Sequence, residues 1–155
     1  MINVTLTPDE IFLAASHGIF RRVKFHEGKR EDREQKERST WDNEIEGACA
    51  ELAWCKYWNN YWTGLTGIRK IDGAGVEVKW TRHANGGVIL KRNADNDKIH
   101  VLARGFAPSF IFVGWITAKE GKKHAINTSF GLLVPAEFLH SFEEPAQQEI
   151  MLCLP

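Results

Sequence analysis

The chain has 155 residues, 43% apolar and 26% charged, the size and make-up of one globular domain able to bury a core. Lys and Arg number 20, as do Asp and Glu, so bulk charge does not mark a nucleic-acid binder and phosphate contacts have to come from local patches. No apolar run approaches the ~18 residues of a membrane span, and Met1-Ile2-Asn3-Val4 lacks a signal-peptide pattern. A cytoplasmic protein with no membrane partner is expected.

Thr7-Pro8-Asp9-Glu10 predicts a helix start: Thr7 caps, Pro8 suits the first helical position, and Glu10 completes a capping box. Ile11, Phe12, Ala14, Ala15 and Ile19 then form an apolar stripe at helical spacing, with Gly18 weakening the middle. From His26 to Arg38 the residues are almost wholly polar with mixed charge. They read as a solvated helix or loop, or with Arg21 and Arg22 as a basic segment that folds over DNA phosphates.

Ser39 or Thr40 caps a second predicted helix running to about Tyr61, with Trp41, Ile45, Ala48, Leu52 and Cys55 on the helical period. Gly47 sits in its interior, tolerable where a neighbouring element packs close. Glu51 stands among Ala48, Ala50, Leu52 and Ala53, as a partly buried functional acid or as a residue on a narrow solvent edge. Trp54, Trp58, Tyr61 and Trp62 recur at helical spacing and serve either core packing or stacking on bases. The three cysteines, Cys49, Cys55 and Cys153, have neither disulfide-framework nor zinc spacing, and the first two are expected to fill small spaces on a packed helix.

After Gly64 and Gly67 the pattern turns to strands: Ile68 to Asp72, Val76 to Thr81, Gly87 to Arg92, and Ile99 to Arg104 closed by Gly105. Ser109 to Ala118 is nearly continuous in apolar residues, as in a strand buried on both faces. Lys119 to His124 reads as a basic loop, Asn127 to Leu133 is ambiguous, and Pro135 begins a short terminal helix to about residue 143. The order implies one α+β domain over residues 1–155, with a helical part at 7–62 and a central mixed sheet at 68–118.

The chemistry concentrates in Asp72-Gly73-Ala74-Gly75-Val76-Glu77-Val78-Lys79. Val76 and Val78 point to a core, while Glu77 and Lys79 share the other face of the strand, about 7 Å apart. Asp72 and Glu77 are hard oxygen ligands of the type magnesium selects, and the backbone carbonyl of Val78 adds a third oxygen. Lys79 then orients a water or steadies charge on a phosphate. The plain alternative is a half-exposed strand with alternating charges. His83, His100, His124 and His140 have no metal-ligand spacing and read as surface or packed histidines.

Taken in order, Gly47-Ala48-Cys49-Ala50-Glu51-Leu52-Ala53, Ile71-Asp72 and Glu77-Val78-Lys79 resemble the PD-(D/E)XK nuclease superfamily, the restriction-endonuclease-like fold. The likeness runs over about residues 40 to 118 and is sharpest at Glu77-Val78-Lys79. It implies Glu51, Asp72, Glu77 and Lys79 as the catalytic set and Mg2+ (or Mn2+) as cofactor, on Glu51, Asp72, Glu77 and Val78. It implies DNA as partner, duplex, single-stranded or branched, and it allows a homodimer. Ile71 stands where the family has proline, and only four residues separate Asp72 from Glu77, fewer than the family hairpin, so Asp95 and Asp97 are alternatives. Arg21, Arg22, Lys91, Arg92, Lys122 and Lys123 are candidate phosphate contacts. The segment from Gly105 to Ile116 is more loosely similar to small phage and bacterial nuclease-like proteins, which implies a phage or mobile-element origin and, if phage-encoded, a bacterial host cell. The rival expectation is a non-catalytic nucleic-acid- or protein-binding module on the same fold.

Overall fold

The structure is a computed structural model, and it describes residues 1–27, 40–64 and 76–142. Asp72, the strand expected at Ile68 to Asp72 and the polar run after Glu27 lie outside these described residues, as does Cys153. The fold is α+β, with a mixed sheet flanked by helices, as the order of elements implies. Among the described residues no helix is long and apolar enough to cross a membrane.

The chain opens with a strand that the sequence pattern does not announce, β1 (Ile2–Thr5), whose alternating burial sets Ile2 and Val4 into the core. Helix α1 (Pro8–Glu27) begins at the expected capping box. The Thr7 N–H donates to Glu10 Oε2 at 2.7 Å, and the Glu10 N–H donates to Thr7 Oγ1 at 3.3 Å. Helix α2 (Trp41–Tyr57) is capped by Thr40, whose hydroxyl accepts from the Asn43 N–H, and it ends four residues short of the expected Tyr61. Its buried face is built from small residues, Ala48, Cys49, Ala50 and Ala53, around the fully buried Trp54. Both of its cysteines are buried, and burial, then Glu46, pushes the Cys49 thiol up to about 11.

The glycines of the two helices exchange their expected roles. A Cβ on Gly18 would lie 2.7 Å from the Glu44 carbonyl oxygen and the Ile45 Cα, so this glycine lets α1 and α2 touch backbone to backbone. Around a Cβ on Gly47 there is nothing within 4 Å. Close approach therefore explains Gly18 and not Gly47.

The four-stranded sheet has the order β1-β5-β4-β2. Strand β2 (Glu77–Thr81) lies parallel to β4 (Ile99–Phe106), and β5 (Ser109–Thr117) is antiparallel to both β4 and β1. One face, carrying Val78, Val101, Ala103, Phe110 and Phe112, packs with α2 into the main core. Trp54 is its centre, in edge contact with Phe112 at 5.1 Å between ring centroids. Trp62 is also buried, against His17, whereas Tyr61 is 89% exposed. The aromatic series is thus mainly packing.

The other face packs Leu102 and Ile116 with Val88, Leu90 and Val134 of a second sheet. That sheet has the order β3-β7-β6, from β3 (Val88–Leu90), β6 (Ile126–Thr128) and β7 (Gly131–Val134). Strand β5 is not buried on both faces throughout: Ile111 is exposed, and continuous burial begins only at Gly114. The segment expected as a basic loop is instead helix α3 (Ala118–His124), capped by the Thr117 hydroxyl. Its charges hid it, because only Ala118 and Gly121 face inward; a Cβ on Gly121 would meet Leu90 Cδ1 at 2.8 Å. The expected terminal helix shrinks to one 3-10 turn at Ala136–Phe138. After it His140 pairs in extended form with Trp115, and that bridge ends the turn.

Candidate active site

Strand β2 ends the four-stranded sheet, so one of its backbone edges has no strand partner among the described residues. Period-two alternation turns Val78 into the core under α2 and sets Glu77, Lys79 and Thr81 on the opposite face. Lys79 Nζ donates to Glu77 Oε1 at 2.7 Å, and both side chains keep about a fifth of their surface open to solvent. The Glu-x-Lys element is therefore a formed pair at an accessible edge.

Beneath it lies a residue whose weight the sequence did not reveal. His100 on β4 is in register with Glu77, is 3% exposed, and neither ring nitrogen has a hydrogen-bond partner among the described residues. Burial, and next the Lys79 ammonium, pull its pKa from 6.5 down to about 4, so the imidazole is neutral at physiological pH. An orphaned buried nitrogen of this kind is rare in a packed core. The expectation of a packed histidine holds, but its place next to Glu77 depends on β2–β4 register, which no spacing motif encodes.

Glu51 is placed differently. It is 6% exposed, which decides between its two sequence readings in favour of burial. Arg21 of α1 grips it with two hydrogen bonds, Nη1 to Oε1 at 2.8 Å and Nη2 to Oε2 at 2.5 Å. Arg21 is thus turned into the protein in this structure and away from any phosphate at the surface, and Arg22 beside it is half-buried.

The other candidate cations divide. Lys122 Nζ donates to the Ala94 carbonyl at 2.6 Å and to Asn96 Oδ1 at 2.8 Å, tying α3 to the turn before β4. Arg92 Nη2 donates to Asn127 Oδ1 and to the Thr128 carbonyl, both at 2.8 Å. Lys91 and Lys123 are exposed. Two cavities meet at Lys79. One of about 320 Å³ is lined by Asn43, Gly47, Val78 and Lys79, and extends to Arg82 and His83. The other, of about 540 Å³, runs from Lys79 and His83 past Gly86 to Lys91 and Phe130. Arg82 is the residue that motif reading missed, and His83 is one it set aside as a surface or packed histidine. They follow directly on the Glu-x-Lys strand, where continuing the strand direction past Thr81 would have found them.

Magnesium needs several oxygen donors. The described residues offer the Glu77 carboxylate and the Val78 carbonyl, with the orphaned His100 nitrogen close by in register. No group of three His, Cys, Asp or Glu side chains that could hold a metal forms among the described residues. Asp72 lies outside them, and Asp95 and Asp97 are exposed in the turn before β4, where the Asp97 N–H donates to Asp95 Oδ1. No known protein family, curated protein or solved structure gives a significant match to this chain.

Proposed function

We propose that this protein is a metal-dependent nuclease of the PD-(D/E)XK kind that hydrolyses phosphodiester bonds, with DNA as its substrate, and that it works in the cytoplasm. The observation that carries the reading is the Glu77–Lys79 pair on an edge strand, with Lys79 lining two cavities. A nuclease needs a hard-oxygen ligand and a cation side by side at a solvent-open edge, with room for a phosphate. Glu77, the Val78 carbonyl and Asp72 are the groups that would hold Mg2+ or Mn2+. Such an ion supplies Lewis acidity and a lowered water pKa. Lys79 uses one N–H on Glu77 and has two more for a phosphate oxygen or a water. Arg82, His83 and Lys91 ring the cavities as backbone contacts. Glu51, clamped by Arg21, ties α1 to α2, the helix that packs over β2.

The test is cleavage of supercoiled, linear and single-stranded DNA by the full chain with magnesium or manganese. Glu77→Ala and Lys79→Ala are each expected to lose activity by a factor on the order of 100 or more, as removal of a charge-stabilising group does. Metal is expected to raise the melting temperature of the wild type and not of Glu77→Ala. Undiminished cleavage by both variants removes the proposed site.

One observation favours a second reading, a binding module without catalysis: Glu51 and Glu77 are each already paired with a cation from the same chain. That reading predicts DNA binding unaffected by Glu77→Ala and no thermal response to metal.

A further inference from the structure

Helix α1 is built inside out. Its inward side carries Ala14 and Gly18 in the helix contact and sends Glu10 to Lys56 and Arg21 to Glu51. Its solvent side carries Phe12, Leu13, Ile19, Phe20 and Val23, with Phe12 76% and Phe20 52% exposed. This departs from the stripe that sequence period suggests, in which Phe12 and Ile19 join the core. Surface helices ordinarily place such residues inward, and a contiguous exposed apolar row marks an interaction surface.

We infer that this face is a homodimer interface, in which α1 packs antiparallel against α1 of a second copy about a two-fold axis at Ser16. The row is close to a palindrome about that residue: Phe12 and Phe20 lie four positions to either side, and Leu13 and Ile19 lie three. A two-fold axis there sets Phe12 on the partner copy's Phe20 and Leu13 on its Ile19, as an isologous interface requires. The central side chain is small, and its hydroxyl already donates to the Phe12 carbonyl at 2.8 Å, so it can be covered without losing a partner. Charge agrees with the same axis. Exposed Asp9 stands at one end of the face and exposed Lys24 at the other, and antiparallel pairing brings each Asp9 within about 2 Å of the other copy's Lys24 along the helix axis.

A lipid surface fits less well. Interfacial helices flank their apolar face with cations on both sides, whereas here Lys24, 4.8 Å over the Phe20 ring, stands at one end of the row, Asp9 stands at the other, and Arg21 is turned inward onto Glu51. One face of a 20-residue helix is about 30 Å long, which puts the contact at the small end of specific interfaces. The dimer is therefore concentration-dependent.

Sedimentation equilibrium of the full chain over a range of roughly 1 to 200 µM is expected to pass from 17.7 kDa to twice that mass. Phe12→Glu with Phe20→Glu, both at exposed positions, is expected to leave the chain folded and monomeric throughout. Geometry is tested by cross-linking in a Cys153→Ser background. Ser16→Cys, at the axis, is expected to form a disulfide dimer under mild oxidation. Asp9→Cys, about 20 Å from its own copy in this arrangement, is not. Asp9→Lys and Lys24→Asp should each weaken the dimer, and together restore it. A monomer at all concentrations, a dimer indifferent to Phe12→Glu with Phe20→Glu, or linkage through Asp9→Cys but not Ser16→Cys overturns the proposal. So does a monomer that binds anionic vesicles through the same residues.

Discussion

Glu51 and Glu77 are both carboxylates with a cation in hydrogen-bonding reach, and the two pairs serve different ends. Arg21 reaches Glu51 from another helix, with both oxygens engaged and both side chains nearly out of water. Lys79 reaches Glu77 from two residues away on the same strand, through one oxygen, with both side chains still touching solvent. The first pair joins α1 to α2. The second lies within one strand, beside His100 of β4, and keeps part of each side chain in water. An ion pair is thus read by what it spans and by how much water it keeps.

The largest expected effect breaks this comparison on the buried side. Glu51→Ala leaves the Arg21 guanidinium buried without its principal partner and is expected to cost about 3 to 5 kcal/mol. Glu77→Ala is expected to cost less, because its pair keeps about a fifth of each side chain in water. Urea denaturation of the two variants measures both, and similar losses would erase the distinction.

A second measurement sharpens the exposed side. His100 under Glu77 takes its proton near pH 6.5 when unfolded and near 4 when folded. Its folded pKa is depressed, so its contribution is complete above about 6.5 and is lost as pH falls towards about 4, up to about 3 kcal/mol in all. Denaturation in chelator-containing buffer between about pH 7 and 4.5 should show this slope, and His100→Leu should flatten it.

The smallest effect separates the two helix glycines. Gly47→Ala adds a methyl to open space and is expected to stabilise by about 0.5 to 1 kcal/mol. Gly18→Ala meets the Glu44 and Ile45 backbone and should destabilise. Melting temperatures of the pair would show which glycine the fold requires.

Much of this fold was legible where local chemistry decides it. The Thr7–Glu10 box, the Thr40 cap and the strands at Val78, Val101 and Phe110 are written in spacing and capping residues. What stayed hidden depends on partners distant in sequence. Period-two reading exposes Glu77 and Lys79 on one face, but only β2–β4 register puts His100 beside them. Helical period groups Phe12 with Ile11 and Ala14, yet the side that turns inward is chosen by Gly18 against Glu44 and by Arg21 against Glu51. Glu51 could be recognised as unusual from its small neighbours, while its cation lies 30 residues upstream.

Strand β1 has a consequence for the order of assembly. Its register with β5 joins Ile2 to Phe112 and Thr5 to Ser109, and the side chains of that last pair are separated by 104 positions. The β4–β5 hairpin closes locally, whereas β1 lies about 100 positions before β5, its only sheet partner among the described residues. Such long-range closure carries a loop-entropy cost that the hairpin avoids. Strand β1 is therefore expected to be seated after the β4–β5 hairpin, completing the sheet along the outer edge of β5.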